Sequence, residues 1–253
     1  MVEKNLLLVT LNRPEVSNAI NTQMGRDLRD LFEGLVPDPG EVRVVVVTGA
    51  GDKAFCAGGD LKERKGMTDA AWQHQHAIFE RMTLALLDCP VPVIAAVNGA
   101  AYGGGTEITC AMDFAYAATT ARFALTEVTL GIMPGGAGTQ NLPRIAGPRR
   151  AKEIIFTGRP FSAEEALAWG VVNKVCAPES LLDETLETAG RIAANAPLSI
   201  QQAKKSIHFG LQMDIRSGMF FEIEAYNRLV GTEDRHEGVL AFNERRKPDF
   251  KGR

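Results

Sequence analysis

Four valines in a row, Val44–Val47, run through Thr48 into Gly49-Ala-Gly51, and no other feature of the sequence limits its fold more. Side chains on a strand point alternately to opposite faces, so an unbroken β-branched run requires both faces to be covered. Two further apolar runs have the same character, and strands are predicted over Leu6–Leu11, Val42–Thr48 and Val91–Val97. Segments of helical period lie between them. From about Thr22 to Leu35, the residues Met24, Leu28, Leu31, Phe32 and Leu35 share one face; from about Thr68 to Leu87, Ile78, Met82, Ala85 and Leu86 are apolar. Strand–helix–strand alternation implies an α/β core of βα units paired largely in parallel.

Short strands are also predicted near Asp113–Tyr116 and Val171–Val175. At Ser162 the pattern changes: Ser162-Ala-Glu-Glu165 reads as a capping box, and Gly170 is placed to end the helix it opens. Beyond Pro178 the period is helical over 179–194, 197–211, 213–230 and 233–245. The expected organisation is a core over residues 1–190 and a helical C-terminal region over 191–253. The 253 residues, 45% of them hydrophobic, are ample for a sizeable core. A net charge of −3 argues against a nucleic-acid surface, which needs a basic excess. Met1-Val-Glu-Lys4 leads straight into the first strand with no signal-peptide core, and the longest apolar stretch is far below membrane-spanning length, so a cytoplasmic protein is expected. Cys56, Cys89, Cys110 and Cys176 form no CxxC pair and read as buried apolar side chains.

Glycine placement carries the chemistry. Gly49-x-Gly51-x-x-Ala54 matches the dinucleotide fingerprint, but the residues that follow have no helical period, and a dinucleotide site needs a helix to open at once. In Phe55-Cys-Ala-Gly-Gly-Asp-Leu-Lys-Glu63, small residues would let a ligand approach the main chain; a plain turn with Asp60 as a helix cap is the alternative. Asn98-Gly-Ala-Ala-Tyr-Gly-Gly-Gly-Thr-Glu107 follows a strand directly, and Gly103–Gly105 should open a helix whose first N–H groups are free to meet negative charge. Glu107 lies three residues past Gly104, on the same side of that helix; an early-turn glutamate is also what dipole stabilisation alone would select. Glu127 interrupts the apolar run Phe123–Gly131, where a lone buried carboxylate is costly unless it is partnered or functional. Pro134–Gly138 reads as a second backbone-exposing loop ahead of a helix near Thr139. His74, His76, His208 and His236 have no metal-ligand spacing, so no metal is expected.

Taken together, these runs resemble the crotonase superfamily, the enoyl-CoA hydratase/isomerase family. The likeness spans the chain in order: Leu11-Asn-Arg-Pro14 with Asn18-Ala19, Phe55–Glu63, Asn98–Glu107, Phe123–Gly131, Pro134–Gln140, Leu142-Pro-Arg144, Asp234–Gly238 and Ala241–Lys247. The extended run Phe55–Arg64 looks most like the branch that contains methylglutaconyl-CoA hydratase. The resemblance implies a spiral of repeated ββα units with a helical C-terminal trimerisation region, two trimers commonly stacking as a hexamer. It implies an acyl-CoA thioester as substrate, with coenzyme A entering only as part of it and no separate cofactor. The N–H groups of Ala57 and Gly104 would form the oxyanion hole, Gly58, Gly59 and Asp60 would line the coenzyme A path, and Leu61 and Lys62 would lie near the adenine. Family hydratases carry two glutamates at the positions of Glu107 and Glu127, which favours addition of water to a 2-enoyl-CoA over double-bond isomerisation.

Two departures stand out. Leu125 occupies a position where short-chain hydratases often have glutamine, and Glu15 one where some have a basic residue. The same branch includes an RNA-binding member with a lysine-rich first helix. Here Thr22–Leu35 has only Arg26 and Arg29, offset by Asp27, Asp30 and Glu33, so no nucleic-acid partner is expected. A non-catalytic acyl-CoA or RNA binder is the reading from another class.

Overall fold

The computed structural model describes residues 5–253; Met1-Val-Glu-Lys4, expected to lead directly into the first strand, lies outside them. β1 (Leu6–Leu11) passes through a 3-10 turn at Pro14–Val16 to α1 (Thr22–Leu35), capped by Asn21, whose side chain accepts the Met24 N–H. β2 (Val44–Gly49), β3 (Ala54–Cys56), α2 (Leu61–Arg64) and α3 (Asp69–Asp88) follow. Next come β4 (Val93–Val97), β5 (Ala100–Tyr102), α4 (Gly104–Ala111), β6 (Phe114–Ala118) and β7 (Arg122–Ala124). A 3-10 turn at Glu127–Leu130 leads to α5 (Gly138–Ala146), α6 (Pro148–Thr157) and β8 (Phe161–Ser162). α7 (Ala163–Ala168), β9 (Lys174–Cys176) and α8 (Leu181–Ala193) precede three terminal helices, α9 (Pro197–Gly210), α10 (Ile215–Val230) and α11 (Glu233–Glu244).

The strands form two sheets, one ordered β1-β2-β4-β6-β9 and the other β3-β5-β7-β8. Pairing is parallel throughout the first, with Val45 opposite Val93 and Ala95 opposite Ala115; in the second only β7–β8 is antiparallel. Each strand pair β2–β3, β4–β5 and β6–β7 therefore sends its first strand to one sheet and its second to the other. This is the ββα spiral the resemblance implied, and the α/β fold with a helical C-terminal region stands as expected.

Alternation explains how the valine run is used. Val45, Val47, Val93, Ala95 and Val97 face the larger core, shared with α1, α3, α4 and the second sheet. Val44, Val46, Ile94 and Ala96 face a second core with Leu181, Ala189 and Ala193 of α8. The part of the chain bound to the sheet thus continues past residue 190, to the end of α8.

The strand expected at Val171–Val175 lies later, at Lys174–Cys176. The cause is the end of α7. Gly170, at φ 78°, turns the chain, and the Val171 and Val172 N–H groups both donate to Ala166 O, closing the helix before the ladder can begin. The capping box that opens α7 is present as read, Ser162 Oγ accepting the Glu165 N–H and Glu165 Oε2 the Ser162 N–H. β2 and β4 each start two residues later than predicted, at Val44 and Val93; before β4, Pro92 has no N–H to offer.

Candidate active site

The site begins with a short parallel pairing outside either sheet, between Ile20 and Gly59. In such a bridge one residue uses both its backbone groups and the residue opposite uses neither. Here the Ile20 N–H donates to Gly58 O at 2.7 Å and Ile20 O accepts the Asp60 N–H at 2.9 Å, so the N–H of Gly59 faces the other way and has no acceptor among the described residues. Gly58, at φ 86°, breaks the alternation, and the Ala57 N–H turns back to donate to Ser17 O at 3.0 Å. This corrects the expectation for Ala57. Its amide is spent on the β1–α1 connection, and the free donor of the loop is Gly59.

The opposing donor is at the start of α4. Gly103 takes φ 52° and ψ −121°, a conformation closed to L-residues, and its own N–H donates to Ala124 O at 2.8 Å. Gly104 is then the first helical residue, with no acceptor one turn back. The helix N-terminus is pressed against the first loop. A Cβ on Gly58 would come within 3.0 Å of Gly104 N, and one on Gly104 within 3.8 Å of Gly59 N. Thr106, wholly buried, locks the helix to both flanking strands: its hydroxyl meets Ala101 O at 2.6 Å and Ala124 O at 3.0 Å and accepts the Ala124 N–H.

Glu107 follows on the next position of α4 and is 5% exposed. Its Oε1 accepts two N–H groups from the Pro134–Gly138 loop, Gly136 at 2.8 Å and Gly138 at 2.9 Å. The loop expected to expose backbone therefore spends two of its amides on this carboxylate. Burial pushes the Glu107 carboxyl up to about 7; the nearby Glu127 adds to the rise, and the two amides oppose it. Glu127 opens the 3-10 turn after β7 and is 9% exposed. Its Oε1 points at Gly103, while its Oε2 is buried with no partner among the described residues. Burial raises this carboxyl too. A buried, unpartnered carboxylate oxygen costs stability unless a ligand completes it.

These groups line one cavity of about 430 Å³, within the range of small-molecule sites. Ala57, Gly58, Gly59, Leu61, Gly104, Glu107 and Glu127 are all on its wall. Asp60 and Lys62 are not. Asp60 pairs with Arg13 at 2.9 Å and caps α2 by accepting the Lys62 and Glu63 N–H groups, the structural alternative weighed for it from the sequence; Lys62 is exposed.

The cavity also holds residues that sequence reasoning did not single out. Arg64 stacks its guanidinium 4.4 Å from the Trp72 ring and donates from Nε to the buried Gln75 at 2.7 Å. His76 lies against Gly135, with Glu80 at 3.3 Å, whereas His74 is on the exposed side of α3. The one available signal is spacing: Trp72 and His76 are four apart on the helix read from about Thr68 to Leu87, and Arg64 ends the run Phe55–Arg64. All four cysteines are free and buried.

The profile of the enoyl-CoA hydratase/isomerase family matches residues 1–253. The chain is 40% identical over 252 residues to a short-chain-enoyl-CoA hydratase of Clostridium acetobutylicum, covering 99% of this chain and 96% of that one. It is 38% identical over 248 residues to a crotonyl-CoA hydratase of Syntrophomonas wolfei, covering 98% and 95%. In structure it is similar to a crystallised enoyl-CoA hydratase of Bacillus anthracis, with a TM-score of 0.98, 42% identity and coverage of 100% and 98%.

Proposed function

This chain belongs to the enoyl-CoA hydratase/isomerase family, and from that premise we propose that it adds water across the double bond of a 2-enoyl-CoA thioester. The observation that carries the reading is the pairing of two buried carboxyls, Glu107 and Glu127, both raised by burial above the ordinary carboxylate range, with two unspent amides, Gly59 and Gly104, in one cavity. The thioester carbonyl sits between the amides. Attack of water at the β-carbon moves negative charge onto the carbonyl oxygen, where preorganised donors lower the barrier, one such donor typically contributing roughly 3–4 kcal/mol.

In this reading the ionised form of Glu107 takes the proton of the attacking water, and the protonated form of Glu127 gives its proton to the α-carbon. The pair ends with the proton on Glu107, and exchange with solvent resets it. Burial raises both carboxyls, Glu107 to about 7, which puts proton exchange at Glu107 near neutral pH. Leu61, half exposed on the cavity wall, supports an entrance for the coenzyme A part on that side, and nothing beyond the substrate's own coenzyme A is called for. The run Phe55–Arg64 supports a kinship with the methylglutaconyl-CoA hydratase branch. The exposed apolar helices α9–α11 support a homotrimer, or a hexamer of two trimers.

The test is to incubate crotonyl-CoA, 3-methylglutaconyl-CoA and a 3-enoyl-CoA separately with the protein and follow products by mass. Gain of one water by a 2-enoyl substrate is expected. Hydration of none, with isomerisation of the 3-enoyl thioester, overturns the reading. A double Glu107→Gln, Glu127→Gln variant should lose turnover and still bind acyl-CoA; turnover equal to wild type removes both glutamates from the chemistry.

A further inference from the structure

One peptide group decides whether the first loop offers the substrate a donor or an acceptor. Gly58 C=O and Gly59 N–H belong to the same trans peptide plane and point in opposite directions. While Gly58 O is held by the Ile20 N–H at 2.7 Å, the Gly59 N–H must face away from Ile20. Glycines on both sides leave this plane unusually free to rotate. A half-turn would aim a carbonyl oxygen where the thioester oxygen has to sit and replace attraction by repulsion.

What holds Ile20 in place is a frame built from the residues just before it. Ser17 and Asn18 are consecutive non-glycine residues in the left-handed region, both at φ 55°, a conformation that persists only where surroundings over-determine it. Asn18 supplies that constraint. It is wholly buried, accepts the Arg13 N–H at 2.9 Å, and donates to Ala50 O at 3.0 Å and Ala54 O at 2.8 Å. The turn after β1 is thus tied to the turn between β2 and β3. Arg13 Nη1 adds a second tie, to Ala19 O at 2.7 Å and Asp60 Oδ2 at 2.9 Å, bridging the two residues that flank the Ile20–Gly59 pair. Each of these contacts acts on one side of the pairing or the other, and none touches the cavity.

We propose that Asn18 and the Arg13–Asp60 pair are positioning residues for the oxyanion donor. They hold Ile20 against Gly58 and so keep the Gly58–Gly59 peptide from flipping. This rests on the acyl-thioester reading above.

The test uses Asp60→Asn, Arg13→Gln and Asn18→Asp in the full chain. Asp60→Asn leaves an acceptor for the α2 cap and removes the charge; Asn18→Asp keeps the acceptor and loses both donors. The probe is a conjugated aryl-enoyl-CoA, whose absorption moves to longer wavelength when its carbonyl is polarised. The wild type should shift the bound probe, and the variants should shift it less, Asn18→Asp the most. Over the same series kcat should fall roughly tenfold to a hundredfold, as for a small misplacement of a catalytic group, with KM little changed. Melting curves establish which variants fold, and Asp60→Asn and Arg13→Gln decide the matter if Asn18→Asp does not. A wild-type shift in folded variants overturns this inference even if activity drops, because the loss is then merely structural. No shift in the wild type overturns the thioester reading itself.

Discussion

Inside the fold Glu107 keeps its proton up to about pH 7, whereas the free carboxyl gives it up near 4.5. The folded state therefore binds more protons than the unfolded one between those values, and stability falls as pH rises through that window. Glu107→Gln is expected to flatten this dependence. The variant should be more stable than wild type at pH 8 by more than about 1 kcal/mol and no more stable at pH 4, measured by denaturant unfolding at both. If Glu107 is the base, kcat/KM should climb as pH rises through about 7, and a profile flat from 5 to 8 would sink that role. The carboxylates and the glycines of α4 were legible because residue type and spacing expose them. Which amide of residues 57–60 is free was not. That depends on pairing with Ile20 and Ser17, some forty residues away, and on the left-handed turn at Gly58. Ala57 and Gly59 both look like small residues beside a ligand; only the hydrogen-bond partners separate them.

Among the elements, the long ones could be read directly. β1 and α1 fall within their predicted bounds, and α3 and α8–α11 within two residues of theirs, because each spans enough positions to show a period. The second sheet could not be read from periodicity. β3, β5 and β7 have three residues each and β8 two, too few to display alternation. Their existence came only from the family likeness. The contact between these short strands and α4 is tight enough to test. A Cβ on Gly105 would lie 2.0 Å from Cys56 O, a backbone atom that cannot step aside, so Gly105→Ala should force α4 off β3. We expect a loss of several kcal/mol or failure to fold. Gly34, exposed in α1 with nothing within 4 Å of an added Cβ, is the control: Gly34→Ala should gain about 0.4–1 kcal/mol. Equal thermal melts for the two would refute the packing argument.

At the scale of the whole molecule the charge is modest and the surface is not. Leu211, Ile215, Tyr226 and Phe242 on or beside α9–α11 are each 67% exposed or more, within a wider apolar field that includes Ile207, Met219 and Phe220. Monomers seldom leave so much apolar surface in contact with water. Light scattering is expected to give three or six times the 27.4 kDa chain mass, and Phe242→Asp with Leu211→Asp to lower it; a wild-type monomer at micromolar concentration contradicts the assembly. No helix among the described residues is long and apolar enough to cross a membrane. The cavity, finally, has two walls of different kinds. The wall formed by Leu61, Arg64 and Trp72 is made of side chains on α2 and α3, none of them hydrogen-bonded to Glu107 or to the loop that holds it. The wall from Ile132 to Gly136 belongs to the loop whose amides hold that carboxylate. A lineage in search of new acyl groups can therefore vary the first wall cheaply, but any insertion in the second retunes the base together with the pocket. Selectivity should drift through the helices while the loop stays still.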